Sequence, residues 1–263
     1  MTSLDAGAQL QANLAQVRQT VAQACQRAGR DPRTVTLVAV TKYMTPPAIR
    51  LLLAAGVSEI GESRAQQLVA RTSELGASQD GWLDPAQTPA PPASATAAPH
   101  WHMVGHLQRN KVKLVLPHAR ILHSLDSERL AAEIDAVAAP LDLVVDAFLE
   151  TNVSGETSKY GVAPADLEPL IAAIRRYSRI RLRGLMTMPP FDPDPQQTRP
   201  CFAMLRGLLE QLRARGAVGP ECVHLSMGMS HDYAVAIEEG ASFVRVGSAL
   251  CTDLPADLLL SPG

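Results

Sequence analysis

One lysine ends an apolar run near the start of the chain. In LVAVTK (37–42), four apolar residues are followed by a threonine and Lys42, and two prolines then open a helical pattern. Such a run is typical of a buried strand, so Lys42 is expected where the strand ends, among apolar walls. Burial of that kind disfavours a lysine's charged form and leaves a nucleophilic amine, which is the requirement for a Schiff base with an aldehyde. The alternative is a lysine that extends along a rim and keeps its ammonium in water.

Two segments near the other end of the chain suit an anion. They are LSMGMSHD (225–232) and VRVGSAL (244–250). Small residues let backbone N–H groups approach a phosphate, and serine hydroxyls add donors. The residues concerned are Ser226, Gly228, Ser230, Gly247 and Ser248. The alternative is tight packing of small side chains. A reactive lysine facing a phosphate cup suggests a phosphorylated aldehyde, either pyridoxal 5′-phosphate or the sugar phosphate of a Schiff-base aldolase.

An alternation of strand-like and helical patterns must position these residues. The strand-like runs are 35–42, 59–63, 102–105, 121–126, 142–150, 180–188, 223–229 and 243–250. Helical spacing occurs at 5–29, 46–55, 64–75, 107–116, 127–139, 164–177, 198–215 and 231–239. The runs are continuously apolar, as in parallel strands covered by helices. Eight strand–helix repeats predict an α/β fold, a single TIM (β/α)8 barrel over residues 1–263 with an extra N-terminal helix. The alternative, a doubly wound open sheet, normally has a Gly-rich turn after its first strand, which this sequence lacks.

In such a barrel the carboxyl ends of all strands meet at one mouth, where active sites are built. Lys42 and the two phosphate-binding segments are therefore expected to face each other. Lys159 follows the fifth strand at the same mouth and is a second candidate amine, with a solvated loop lysine as its alternative. Residues 76–100 interrupt the alternation with a segment rich in Pro, Ala, Ser and Thr, and this composition predicts a mobile loop within the domain.

Bulk composition excludes several classes of protein. The net charge of -2 gives no electrostatic case for nucleic acid. No apolar run approaches the roughly 20 residues that span a bilayer, and the N-terminus lacks the pattern of a secretory signal. The four cysteines form no CxxC pair and predict reduced thiols in a cytoplasmic protein without a metal site.

A series of motifs extends along nearly the whole chain. They are LVAVTK (37–42), IGES (60–63), WHMVGHLQRNK (101–111), HSLDS (123–127), TNVSGETSKYG (151–161), RGLMTMP (183–189), LSMGMSHDY (225–233) and VRVGSAL (244–250). In this order they are highly specific. The chain resembles the pyridoxal phosphate homeostasis protein family, whose barrel is similar to the N-terminal domain of alanine racemase.

The resemblance implies a set of pyridoxal-phosphate-binding positions. Lys42 matches the Schiff-base lysine, and Arg245 matches the arginine that reaches the pyridine nitrogen. The remaining positions are Ser63, where the family commonly has Asn, and Ser226, Met227, Gly228, Gly247 and Ser248 around the phosphate. An arginine stays cationic, keeps the pyridine nitrogen unprotonated and weakens the cofactor as an electron sink. The alternative for Arg245 is an ion pair at the mouth with Glu62 or Asp232.

The resemblance also bears on whether the protein is an enzyme. A racemase needs a second acid/base, which in the racemases comes from a further β-domain, and this sequence ends at Gly263 soon after the eighth strand. We expect a monomeric carrier without catalytic residues, which buffers pyridoxal phosphate in vitamin B6 homeostasis and delivers it to apo-enzymes. The alternatives are a racemase-like pyridoxal-phosphate enzyme and a Schiff-base aldolase with Glu62 as its carboxylate.

Overall fold

The computed structural model describes residues 3–78, 98–156 and 160–260, and its centre is a closed parallel β-barrel. Each of eight strands pairs with the next, and β8 pairs with β1. The strands are β1 (Thr36–Val40), β2 (Glu59–Glu62), β3 (His100–Met103), β4 (Ile121–Leu125), β5 (Val145–Glu150), β6 (Ile180–Met186), β7 (His224–Met229) and β8 (Phe243–Val246). The predicted TIM barrel is confirmed.

Helices connect the strands and cover the outside of the barrel. They are α1 (Ser3–Arg27), α2 (Pro46–Ala54), α3 (Ala65–Leu75), α4 (Val112–Val115), α5 (Glu128–Ala138), α6 (Leu167–Ile174), α7 (Arg199–Ala214), α8 (Tyr233–Glu238) and α9 (Ser248–Cys251). Local sequence explains several of their starts. Prolines occupy the first positions of α2, where a missing N–H costs nothing. Ser127 caps α5 by accepting from the backbone N–H of Leu130 at 3.3 Å.

Two predicted elements are much shorter in the structure. The helix expected over 107–116 is reduced to α4, which follows a 3-10 turn at Arg109–Lys111. The eighth strand ends at Val246 rather than at residue 250, because the N–H of Gly247 turns to the hydroxyl of Ser230 and α9 then begins.

The predicted loop 76–100 overlaps the start of β3 at His100, and its residues 79–97 lie outside the described residues. Its two described ends are joined. The N–H of Ser78 donates to the carbonyl of Pro99 at 2.8 Å, and the indole N–H of Trp101 donates to the carbonyl of Gly76 at 2.8 Å. The strand–helix alternation therefore continues across this segment.

The apolar core has two parts. The larger part lies between the barrel and its helices, and the N-terminal helix α1 contributes Leu10, Leu14 and Val17 to it. The smaller part fills the barrel itself. Its members are Val38, Val104, Ile121, Phe148, Met186 and Phe243. The barrel interior also encloses polar side chains that are hydrogen-bonded to one another.

The extra N-terminal helix reaches the segment after β8. The side-chain amide of Asn13 donates to the carbonyl oxygens of Leu250 at 3.1 Å and Thr252 at 2.7 Å. These bonds satisfy carbonyls at the end of α9, which otherwise lack partners within so short a helix. Helix α1 therefore supports the chain that carries Gly247 and Ser248.

Close strand packing makes Gly184 of β6 sensitive to substitution. A Cβ there would overlap the backbone carbonyl of His224 on the neighbouring strand, so Gly184→Ala is expected to lower the unfolding free energy by about 1–3 kcal/mol. Gly207→Ala in α7 is the matched control: apart from its chain neighbours and the backbone of its own helix, no described atom lies within 4 Å of the added Cβ, and alanine's helix propensity stabilises by up to about 1 kcal/mol. Denaturant unfolding measures both variants, and equal effects would contradict the packing described for β6 and β7.

Candidate functional site at the carboxyl mouth of the barrel

Lys42 lies on the turn directly after β1 and is exposed. Its ammonium sits 4.8 Å from the ring centroid of Tyr43, a cation–π contact. The expected enclosure among apolar walls is wrong, because the strand ends at Val40 and Lys42 is two residues beyond it. The amine is therefore accessible to a molecule that enters the mouth.

Buried polar contacts fix the backbone on either side of Lys42. The carboxylate of Glu62 pairs with Arg71 and accepts from the Thr41 hydroxyl. Arg71 also donates to Thr41 Oγ1 at 3.1 Å and to the Met44 carbonyl at 2.5 Å, and burial lowers its pKa to about 10. An accessible amine is thus presented on a rigid turn.

These contacts bear on two roles considered for Glu62, the ion-pair partner of Arg245 and the carboxylate of an aldolase. Because Glu62 is fully buried and bound to Arg71 and Thr41, it is not the ion-pair partner of Arg245. The same contacts leave it poorly suited to act as the free carboxylate of an aldolase.

The loops after β7 and β8 converge on one hydroxyl. The backbone N–H groups of Gly247 and Ala249 donate to Ser230 Oγ at 3.0 and 3.2 Å. Ser248 is exposed between them. We call Ser230, Gly247, Ser248 and Ala249 the cup. Two N–H groups that point at one oxygen can also serve an oxygen of a bound anion.

The other predicted phosphate positions have different surroundings. Gly228 has φ +93, and a Cβ there would crowd Ala236 and Tyr233, so glycine is needed for the backbone to turn. Met227 is fully buried. Ser63 is half-buried after β2. These residues shape the mouth, and the hydroxyl that joins its two loops belongs to Ser230, which the family resemblance had not singled out.

Arg245 and Ser226 lie inside the barrel, beneath the mouth. Arg245 is 4% exposed and donates to Ser226 Oγ at 2.6 Å and to the Thr187 carbonyl at 3.0 Å. Burial lowers its pKa to about 10, and attraction to Glu150 and Asp232 opposes that shift. Ser226 is fully buried and bonded to Arg245, so the structure does not bring its hydroxyl into the cup.

A buried carboxyl, Glu150, ends strand β5 at the same mouth. It is 3% exposed, and its Oε2 has no hydrogen-bond partner among the described residues. Burial raises its pKa to about 7, with a contribution from Asp126, while Arg245 opposes the shift. Glu150 lines a cavity of about 450 Å³. Other residues that line it are Thr151, Tyr160, Met188, Phe191 and Met229.

Sequence reasoning missed Glu150, although it shares with Lys42 the position of an ionisable residue at the end of a predicted strand. The other candidate amine, Lys159, lies outside the described residues.

Within the described ranges, no group of three or more His, Cys, Asp or Glu side chains is arranged to hold a metal ion. None of the helices described is long and apolar enough to cross a membrane.

The fold is that of proteins built on the alanine racemase N-terminal domain, whose family model matches residues 8–255. The chain is 37% identical to the pyridoxal phosphate homeostasis protein of Aquifex aeolicus over 237 residues, which cover 90% of this chain and 95% of that protein. It is also 37% identical over 242 residues to the protein of the same name from Pseudomonas aeruginosa, covering 90% and 93% of the two chains. The chain therefore belongs to the pyridoxal phosphate homeostasis protein family.

A solved relative has the same fold. The structure of PipY from Synechococcus elongatus with pyridoxal phosphate bound superposes with a TM-score of 0.73 at 29% identity, covering 92% of this chain and 99% of that chain.

The raised pKa of Glu150 predicts a pH-dependent effect of Glu150→Gln on stability. A free glutamate has a pKa of 4.5, whereas Glu150 has about 7 in the folded chain. Between these values the folded state holds a proton that the unfolded state has lost, so wild-type stability falls as pH rises. Glutamine stays neutral, so the unfolding free energy of E150Q minus that of wild type should rise by up to about 3 kcal/mol between pH 4.5 and 8.

Denaturant unfolding at several pH values measures this difference. Glu210→Gln, at a carboxylate with 66% side-chain exposure on α7, is the matched control. A difference for E150Q that is flat with pH, or that follows the control, would contradict the burial of an ionisable Glu150.

Proposed function

We propose that this protein binds pyridoxal 5′-phosphate reversibly as a Schiff base with Lys42 and acts as a cytoplasmic carrier of the cofactor. The observation that carries the proposal is the juxtaposition at one mouth of an accessible amine, a cup of backbone donors and a buried arginine. These are the groups that an aldehyde, a phosphate and a pyridine ring require. The bound cofactor of the PipY structure supports the proposal.

Strand order supports the proposed arrangement of Lys42 and the cup. β1 pairs directly with β8, with Ala39 opposite Val246. Neighbouring strands lie about 4.8 Å apart. Lys42 follows Ala39 by three residues and Ser248 follows Val246 by two, so both lie two residues beyond the ends of adjacent strands. This placement is consistent with a ligand that carries an aldehyde and a phosphate on one ring and contacts both.

The cup would supply much of the affinity. The N–H groups of Gly247 and Ala249 now share the hydroxyl of Ser230, which is a neutral acceptor. A phosphate dianion is a stronger acceptor, and each charge-assisted hydrogen bond contributes about 1.5–3 kcal/mol. An imine is reversible in water, so the phosphate contacts would retain the ligand while Lys42 exchanges.

Arg245 favours holding the cofactor over turning over substrates. With a pKa of about 10 it remains cationic near neutral pH. A cation that donates to the pyridine nitrogen keeps that nitrogen unprotonated, which limits the electron-withdrawing chemistry that the cofactor supplies to enzymes. We infer that the protein passes its cofactor to apo-enzymes.

A second candidate function, a racemase-like enzyme, is favoured by one observation. Glu150 is a carboxyl with a pKa of about 7 at the mouth, a value suited to general acid–base catalysis. We nevertheless expect no enzyme-level racemisation, decarboxylation or α-proton exchange when the cofactor-loaded protein is incubated with L- and D-amino acids in D2O and followed by NMR. Turnover that is lost in both K42A and E150Q would reject the carrier in favour of this enzyme.

Lys42→Ala tests the proposed linkage. Wild type should develop the visible absorption band of an imine with pyridoxal phosphate, and the variant should not. Its fold should be unchanged, because an exposed lysine contributes little to burial. Absorption titration and circular dichroism measure the two effects.

Lys113→Ala, at an exposed lysine on α4, is the matched control and should keep the band. Unphosphorylated pyridoxal, used as a second ligand, should bind wild type much more weakly than pyridoxal phosphate. An undiminished band in K42A would reject Lys42, whereas equal affinities for the two aldehydes would reject the cup.

A further inference from the structure

A chain of hydrogen bonds crosses the barrel interior from its amino-terminal end to Arg245. Glu59 Oε2 lies 2.7 Å from His102 Nε2, and His102 Nδ1 lies 2.9 Å from His123 Nε2. His123 Nδ1 lies 2.7 Å from Ser226 Oγ, which accepts from Arg245 at 2.6 Å. We call these five residues the interior chain. Its three middle members are fully buried.

The two ends of the interior chain lie at opposite ends of the barrel. Glu59 is the first residue of β2, and its side chain is 13% exposed beside His100, the first residue of β3. Arg245 lies beneath the carboxyl mouth, within electrostatic reach of Glu150 and Asp232. The chain thus joins the end of the barrel far from Lys42 to the proposed cofactor site.

The chemistry of the two ends fixes how the histidines between them are protonated. Burial of Glu59 opposes its ionisation, but hydrogen bonds from His100 and His102 outweigh it and bring the pKa of Glu59 to about 2. Glu59 is therefore an acceptor only. Burial, with repulsion from His102 and Arg245, holds the pKa of His123 well below its usual value, so His123 is neutral.

A directed chain follows when His102 carries one ring proton. Its Nε2–H donates to Glu59, which leaves Nδ1 to accept from the Nε2–H of His123. The Nδ1 of His123 then accepts the hydroxyl proton of Ser226. Both lone pairs of that hydroxyl remain for Arg245, which can only donate. Every donor points from Arg245 towards Glu59, and bonds aligned in this way polarise one another.

We propose that His102 and His123 are positioning residues for Arg245, through which the carboxylate of Glu59 sets the strength and direction of the guanidinium's contact with Ser226. The inference rests on the proposed function only in that Arg245 would face the pyridine ring. A histidine pair that merely filled the core would need no preferred proton position. The geometry gives it one, because an acceptor-only group stands at one end and a donor-only group at the other.

Glu59→Gln tests the proposal, because glutamine keeps the shape of glutamate but can also donate. In E59Q, His102 can accept from the new amide, move its proton to Nδ1 and reverse the bonds to His123 and Ser226. Asp146→Asn is the matched control, since Asp146 is a buried carboxylate at the second residue of β5 that pairs with Arg183 and Arg181.

The first measurement uses the ligand-free protein at pH 8.5, about two units above the usual histidine pKa. Nitrogen-15 NMR of the wild type should show Nε2–H protonation of both His102 and His123. In E59Q the Nδ1–H form should appear and the guanidinium signals of Arg245 should move, while in D146N both remain as in wild type. A wild-type His123 protonated at Nδ1 overturns the proposal even if E59Q does not fold.

The second measurement uses pyridoxal phosphate itself. E59Q should form the Lys42 imine but with a dissociation constant raised about tenfold, the effect of one weakened hydrogen bond. Altered histidine protonation in E59Q with unchanged Arg245 signals and unchanged affinity would overturn the proposal. If the wild type binds no pyridoxal phosphate, the proposed function fails, and the Arg245 signals of the ligand-free protein still decide whether the interior chain acts on Arg245.

Discussion

The burial of one cation, the guanidinium of Arg245, constrains much of the barrel interior. A charge removed from water is stable only where hydrogen bonds replace its hydration, and leaving a buried charge without its partner costs about 3–5 kcal/mol. Arg245 finds an acceptor in Ser226 on β7 and another in the backbone after β6. Two buried carboxyls, Glu150 and Asp232, add attraction from a greater distance. The barrel interior is polar around Arg245 because the buried guanidinium needs hydrogen-bond acceptors in place of water.

The same constraint explains the division of the mouth into a fixed part and a movable part. Arg245 is held by Ser226 and Thr187, and the donors of the cup are backbone N–H groups, so in the proposed complex only the Ser230 hydroxyl would be displaced by the ligand. Lys42, in contrast, has an exposed side chain on a backbone braced by Thr41, Glu62 and Arg71. A fixed site for ring and phosphate beside a mobile amine suits a ligand that is held firmly but bonded reversibly.

Local patterns in the sequence predicted most of the elements and the place of Lys42. Continuous apolar runs specify parallel strands, and because strand ends meet at one mouth, position in the repeat alone brings Lys42 towards Ser248. The exposure of Lys42 was not predictable in this way. Strand β1 ends at Val40, and the carbonyl of Thr41 already accepts from the N–H of Met44 in a turn, which places Lys42 outside the apolar walls.

Contacts between distant residues were beyond local patterns. His123 and Ser226 are 103 residues apart and each belongs to an ordinary strand pattern, so only the closed barrel reveals that they touch. The contacts of Ser230, whose hydroxyl joins two loops, could not be predicted from local patterns either. Nor could the ion pair that the carboxyl of Glu62 forms with Arg71. A single sequence contains all the residues of these networks, but it does not show which of them contact one another.

Peptide mapping would show whether Lys42 forms the proposed bond to the cofactor. Wild-type protein would be loaded with pyridoxal phosphate, reduced with borohydride, digested and analysed by mass spectrometry. We expect one reduced phosphopyridoxyl group, located on Lys42. No modified peptide, or the group at full yield on another lysine such as Lys159, would contradict it.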